Sequence, residues 1–461
     1  MIVPDDLLTI NFQNLMKHSL RYSLRKNVGV GLLAVVLLAA GRLVAGQPVI
    51  MDVPPVNTKP AAQLESEAAS DMAVFIPAAD NRDDSLPQPF KVGRVVLRPH
   101  VSYQFTFGDG LLTSPSNTVE SYIQTISPGF TLDLGRHWSL DYTPSIRIYS
   151  SSAFRNAVDH SASLSGRFQY DDWNFGLNQG FTKSDSLVVE TGAQTEQENY
   201  STALSASRQL SEKFSLELGL SQNISDVAST IGTNGTVGAA QTSRSWSTMD
   251  WLNYQVAKRM FFGVGVGLGY VDQDLGPGQF NEQLQGRVQW RATEKVSFSV
   301  NAGLDARQFM ADGYGNSVNP IYGASIQYAP FKRTQISLSA SRTISSSDYY
   351  SNSQNNETTS VGVSASQWLF GKFYLTGGAS YGHTDYVSSF GPIANVRADD
   401  SYSLSASLTR SFLKRGNLTL AYTYGDNRST QRDSIFNLPL PETHNYTYQS
   451  SQISISAGFA Y

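Results

Sequence analysis

Beyond residue 90, apolar and polar side chains take turns along the chain, and a period of two places one set on each face of a sheet. Phe214, Leu216, Leu218 and Leu220 share a face opposite Ser215, Glu217 and Gly219. Phe262, Val264, Val266, Leu268 and Tyr270 turn away from Gly263, Gly265, Gly267 and Gly269. Val296, Phe298, Val300, Ala302 and Leu304 oppose Ser297, Ser299, Asn301 and Asp305, and the last segment sets Ile453, Ile455, Ala457, Phe459 and Tyr461 against Gln452, Ser454, Ser456 and Gly458.

The connections fall into two classes that alternate. Gly135-Arg136-His137, Asp171-Asp172, Ser211-Glu212-Lys213, Lys258-Arg259, Thr293-Glu294-Lys295, Phe331-Lys332, Gly371-Lys372 and Lys414-Arg415-Gly416 are tight and mostly charged. Between them lie longer polar stretches around 109–117, 150–160, 190–198, 228–241, 272–280, 312–319, 345–356, 390–399 and 427–443. About eight turns and nine loops separate about eighteen strands, an even number, as is usual for bacterial single-chain barrels. The pattern predicts an all-β chain: a transmembrane antiparallel up-and-down β-barrel of about eighteen strands over residues 91–461. Tight turns belong on the periplasmic side and long loops outside. A soluble β-sandwich also alternates, but it does not require short and long connections to alternate, and its outer face needs more charge than these small polar faces carry.

Aromatic side chains gather where such a wall meets lipid head groups. Trp138, Trp173, Phe214, Phe261, Trp290, Phe331, Phe373 and Phe412 flank the tight turns. Tyr103, Phe105, Tyr270, Tyr349, Tyr350, Tyr386, Tyr424 and Tyr448 sit toward the long loops, as a second belt would.

The first ninety residues read differently. Lys17, His18, Arg21, Arg25 and Lys26 form a basic region, and an apolar run from Val28 to Ala40 leads to Val44, Ala45 and Gly46. A run of about thirteen apolar residues is too short to span a bilayer and suits a signal peptide, so residues 1–46 are expected to be cleaved after Ala45 or Gly46. Met16, directly before the basic cluster, offers an alternative start. Residues 47–90 carry Pro54, Pro55, Pro60, Pro77 and Pro87 among alanines and acids, without periodicity. They are expected to form a disordered periplasmic lead-in.

Composition narrows the function classes. The hydrophobic fraction of 40% is ordinary, which a barrel permits because only every second wall residue meets lipid. The chain has no cysteine, which excludes disulfides, thiolate metal sites and cysteine catalysis. A net charge of −4 gives no support for a nucleic-acid partner. Six histidines are dispersed without H-E-x-x-H spacing, and the Gly263–Gly269 series is spaced by two, unlike the G-x-G-x-x-G of a phosphate loop. The sequence therefore predicts no catalytic residue, no cofactor and no metal, and Asp272 and Asp274 form only an incomplete oxygen series for Ca²⁺.

The C-terminal run Ser454-Ile455-Ser456-Ala457-Gly458-Phe459-Ala460-Tyr461 resembles the signal that barrel-assembly machinery recognises in outer-membrane proteins, with Tyr461 in place of the commoner Phe. Over roughly residues 91–461 the pattern resembles the β-barrel porin type 2 family, on rhythm rather than on a sharp motif. That resemblance implies an outer-membrane channel-like protein, in some members found near exopolysaccharide export systems.

If the apolar face meets outer-membrane lipid, the other lines the interior. It is mostly small and neutral, as in Ser161, Ser163 and Ser165, or Ser403, Ser405 and Ser407. Some charges share this face, and Arg94, Arg98, Arg147, Arg167, Glu217, Arg287, Asp305 and Arg307 are the candidate pore-lining residues. Arginines outnumber acids among them. Two readings stand: a charge ring that makes a weakly anion-leaning or neutral-solute channel, or cross-strand pairs that brace the wall, with Arg287, Asp305 and Arg307 placed to meet. The expected function is a porin-like channel for passive diffusion of small solutes, or export-linked transport of polysaccharide. The alternative is a structural or surface-interaction barrel with a closed lumen.

Overall fold

The computed structural model describes residues 90–461, apart from 115–116, 189–192, 229, 232–236, 239–240, 275, 347–353, 389–393, 413–414 and 432–446. The expected signal peptide over 1–46 and the expected lead-in up to residue 89 lie outside the described residues.

A short strand, β1 (Phe90–Val92), turns back into β2 (Val95–Ser114). Then come β3 (Asn117–Leu134), β4 (Trp138–Tyr149), β5 (Ala157–Tyr170), β6 (Trp173–Val188), β7 (Ala193–Gln209) and β8 (Phe214–Val227). A small hairpin of β9 (Thr230–Ile231) and β10 (Val237–Gly238) precedes β11 (Gln241–Ala257), β12 (Met260–Gln273), β13 (Gln279–Arg291) and β14 (Val296–Phe309). The wall continues through β15 (Ser317–Phe331), β16 (Thr334–Ser346), β17 (Gln354–Leu369) and β18 (Phe373–Ser388). It ends with β19 (Ala394–Phe412), β20 (Gly416–Gln431) and β21 (Tyr448–Ala460).

Apart from β1, β9 and β10, the strands form one closed antiparallel barrel of 18. Each pairs with the next, and β21 returns to β2 from His100↔Ala460 to Asp109↔Ser451. Closure leaves no long unpaired edge, the condition for a sheet to stand in lipid. The count and topology are those expected from the sequence. Below Ala460 the freed edge of β2 is taken by β1, in register from Phe90↔Leu97 to Val92↔Val95.

The burial pattern is inverted relative to a water-soluble domain. On β12, Phe262, Val264, Val266 and Leu268 are exposed, whereas Gly263, Gly265, Gly267 and Gly269 are buried. Leu268 is 48% exposed, while Gln279, Asp305 and Asn356 are buried. A wall solvated by hydrocarbon outside and packed with polar side chains inside selects this arrangement, because apolar side chains lose nothing by facing lipid. The tight turns use the few residues that tolerate positive φ, such as Asp171 (φ 52) in the Asp171-Asp172 reversal.

Strands reach further toward the long-loop end than composition implied. β2 runs to Ser114 and β3 starts at Asn117, where a loop over 109–117 was expected. β5 starts at Ala157, β19 at Ala394, and β20 runs to Gln431. Polar side chains above the membrane keep their backbones in the ladder, so loop-like composition conceals extended, paired chain.

Candidate pore interior

The glycine face of β12 is a floor on which longer side chains lie. A Cβ at Gly263 would come within 2.5 Å of Asn253 Oδ1 and 3.0 Å of Arg287 Cγ, and one at Gly265 within 2.6 Å of the Trp251 ring. Arg287 on β13 therefore passes over β12 toward β11 and β8. Its Nη2 donates to Glu217 Oε2 at 2.6 Å, and Nε donates to Asn253 Oδ1 at 3.0 Å. Asn253 Nδ2 completes the triangle by donating to Glu217 Oε1 at 2.9 Å. The guanidinium carbon also lies 4.3 Å from the centroid of Trp251, which adds a cation–π contact. One side chain thus links four strands of the wall.

A second cluster lies nearer the long-loop end. Arg307 on β14 donates through Nε to Asp305 Oδ1 at 2.8 Å, and through Nη1 to Gln279 Oε1 and Asn355 Oδ1, each at 3.3 Å. Its Nη2 donates to the carbonyl of Ile344 at 2.5 Å. Gln283 Nε2 donates to the other Asp305 oxygen at 2.7 Å. The side chains of Arg307 and Asp305 are only 6% and 1% exposed, so this pair is buried and survives because nearly every donor and acceptor has a partner.

The expected meeting of Arg287, Asp305 and Arg307 does not occur. Arg287 pairs with Glu217, while Asp305 and Arg307 pair with each other, because the two groups sit at different heights on the wall. Arg98 meets Asp133 at 2.7 Å near the tight-turn end. Arg147 pairs with Asp159 and also donates to the carbonyl of Asp185 at 3.3 Å. Arg167 is exposed on β5, beside the small inward serines Ser161, Ser163 and Ser165. Arg94 stands apart: expected on the first strand, it occupies the exposed turn between β1 and β2. The turn forms because Gly93 (φ 62) lets the chain reverse immediately before β2.

Sequence reading missed a third inward group. Arg397 on β19 pairs with Asp399 and lies over the ring of Tyr386, 4.6 Å from its centroid, and all three are buried. Thr358 and Thr384 share a hydrogen bond of 3.1 Å nearby on β17 and β18. The alternation continues through residues 394–399, which the polar composition predicts as loop. Between the two ends of the wall the burial of many inward residues differs. Inward residues of the long-loop half, such as Thr195, Gln197, Gln279 and Asp399, are buried, whereas Ser163 and Ser165 toward the tight turns are exposed.

The outward face also carries charge, and several of its ion pairs gather in the long-loop half. His383 lies 2.8 Å from Asp400 and 3.3 Å from Asp385, and Tyr381 donates to Asp400 at 2.7 Å. Arg342 meets Glu357 at 2.6 Å, and Lys183 meets Glu196 and Glu198 at 2.6 and 2.8 Å. Directly below these pairs stand apolar outward residues such as Val361, Val363 and Leu404. The change marks where the wall leaves hydrocarbon for the head-group region.

A closed barrel of 18 strands with an apolar outer belt, a polar interior and tight turns at one end is a transmembrane β-barrel of the bacterial outer membrane. No family model matches the chain, and no curated protein matches it. Among solved structures, the chain is similar to Pseudomonas aeruginosa OpdK with vanillate, at 10% identity and a TM-score of 0.43, covering 79% of this chain and 99% of that one. It is similar also to Acinetobacter baumannii OccAB3, at 9% identity and a TM-score of 0.42, over 79% and 99% of the two chains. The Pseudomonas aeruginosa ferric enterobactin receptor PfeA shares 11% identity at a TM-score of 0.41, over 78% of this chain and 80% of its own. Likeness at these levels transfers neither ligand nor activity, and the assignment rests on the barrel's own geometry.

Proposed function

We propose that the protein is a porin-like channel of the outer membrane, passing small polar solutes by passive diffusion. The observation that carries this reading is the composition of the inward face: short hydroxylated and glycine positions line the strands, and serines such as Ser163 and Ser165 nearer the tight turns are exposed. The inward charges meet as pairs. Arg98 with Asp133, Arg147 with Asp159, Arg287 with Glu217, Arg307 with Asp305 and Arg397 with Asp399 neutralise each other and brace the wall. Such a lining favours neutral solutes, with exposed Arg167 tipping it weakly toward anions. The resemblance to the β-barrel porin type 2 family supports polysaccharide export as a variant of the same role, and the interaction of Tyr461 with barrel-assembly machinery belongs with that reading.

One observation favours a second reading, a barrel whose lumen is closed and whose loops contact partners. Inward side chains of the long-loop half are buried, Asp305 and Arg307 among them. Planar-bilayer recording on folded, detergent-purified protein separates the two. Discrete open steps with weak anion preference are the expected result, and silence from protein shown to be folded would replace the channel with the closed barrel.

A further inference from the structure

Among the described residues, two prolines of the wall face each other at one place. Pro128 on β3 and Pro144 on β4 fall opposite one another in the register that runs Ile126↔Ile146 and then Phe130↔Tyr142, and the three pairings between are missing. Their loss has a chemical cause. In an antiparallel ladder a hydrogen-bonded pair exchanges two N–H···O bonds, and neither proline has an N–H to give. On their other sides both strands remain paired, Pro128 with Val101 and Pro144 with His160.

Two other interruptions of the wall are covered by a side chain that bonds the backbone there. Where β15 leaves β16 above Tyr322, Arg307 donates to the carbonyl of Ile344, opposite Pro320. Between β8 and β11 the carboxylate of Asp250 accepts the N–H of Gly219 at 3.3 Å. At β3–β4 the bridging bonds run between side chains on the lumen face. Ser127 Oγ and Ser145 Oγ lie 2.7 Å apart, and His100 Nε2 lies 2.9 Å from Thr143 Oγ1. Gly129 leaves the space His100 needs to reach across.

The seam sits deep in the membrane. Pro144 lies six residues past Trp138, the start of β4. At about 3.3 Å per residue and a tilt of about 40° the prolines stand about 15 Å above that belt, near the middle of an apolar band about 25 Å tall. We propose that the β3–β4 seam is a lateral gate through which a molecule bearing an acyl chain moves between the lumen and the bilayer. The outer lip is apolar, with Ile126 and Ile146 exposed to lipid. The inner lip offers hydroxyls and an imidazole to a polar head. Opening breaks the serine and histidine latches and, at that level, no backbone bond. A wholly polar solute has no use for this exit, so the gate is separate from axial diffusion and does not depend on it.

The chain contains no cysteine, so Ser127→Cys/Ser145→Cys introduces a single lockable pair. In vesicles containing the full-length protein, transfer of doxyl-labelled stearate from protein to bilayer is followed by electron paramagnetic resonance. Oxidation should slow transfer at least about tenfold and reduction should restore it, as expected when a gate limits passage. Axial conductance should be the same in both states, so failure of the channel reading is scored separately. Equal transfer by oxidised and reduced protein, or wild-type transfer no faster than in protein-free vesicles, overturns the gate. Pro128→Ala/Pro144→Ala returns two N–H groups to the ladder. It should slow both stearate transfer and amide exchange at Phe130 and Ile146, and unchanged values for both would also overturn it.

Discussion

Arg287 shows how one inward charge can brace the wall and still act on ions. Its guanidinium reaches Glu217 only because Gly263 and Gly265 put no side chain in its path. Glu217 keeps 45% of its side chain exposed, so removing its partner leaves a negative charge facing the lumen. Arg287→Met should therefore shift the zero-current potential in a salt gradient toward cations, and should cost about 1–3 kcal/mol of stability through the lost charged hydrogen bonds. An unchanged potential would mean that this height of the lumen carries no current. Gly265→Val tests the floor itself. The new side chain collides with Trp251 and should destabilise the barrel by about 1–3 kcal/mol, with a shift in tryptophan emission. Gly286→Ala is the control: its Cβ would find no atom nearer than 4.0 Å, and urea unfolding should move by less than about 0.5 kcal/mol.

At the scale of elements, Arg307 does the work of a missing backbone donor. Pro320 cannot serve the carbonyl of Ile344, and Arg307 supplies the bond from β14, across β15. Arg307→Leu strands Asp305, whose side chain is 1% exposed, and should lower stability by about 3–5 kcal/mol. Arg307→Leu/Asp305→Asn should recover part of that loss in thermal unfolding, and a double variant no better than the single would mean the pair adds little. The Asp305–Arg307 pair was legible in the sequence, but the carbonyl of Ile344 and the partners across the wall were not. Alternation assigns a face, so Glu217, Arg287, Asp305 and Arg307 fall on the polar face of their strands. It gives no height, because the stagger between tilted strands couples residues far apart in the chain, and Arg287 was matched with the wrong partners. Strand ends were hidden for a different reason. Residues such as Arg397 and Asp399 are as polar as a loop, yet they stay in the ladder above the lipid, where water no longer demands an apolar outer face. Arg94 failed on local grounds, since a turn-forming glycine before it ends the strand.

The whole barrel depends on one non-sequential closure, β21 against β2, and Tyr461 adds a bond directly beside it. The N–H of Tyr461 donates to the carbonyl of Pro99 at 3.0 Å, and its ring lies 3.6 Å beneath the Arg415 guanidinium. Immediately beyond, β1 takes over the same edge of β2. Tyr461 therefore has a mechanical role in the seam besides any role as an assembly signal, and the two separate by where the barrel is folded. Deleting Tyr461 removes one hydrogen bond and one cation–π contact, a loss of about 1–3 kcal/mol if both are made in the folded state. Refolded into detergent micelles, the truncated chain should close with that modest loss, read as a lower heat-modifiability midpoint on a gel. Tyr461→Phe keeps the backbone donor and the ring, and should behave as wild type in micelles. In cells, a truncated chain that fails to reach the outer membrane while folding normally in micelles assigns the residue to recognition. Equal loss in both settings assigns it to closure, because a seam that cannot seal fails wherever it is built.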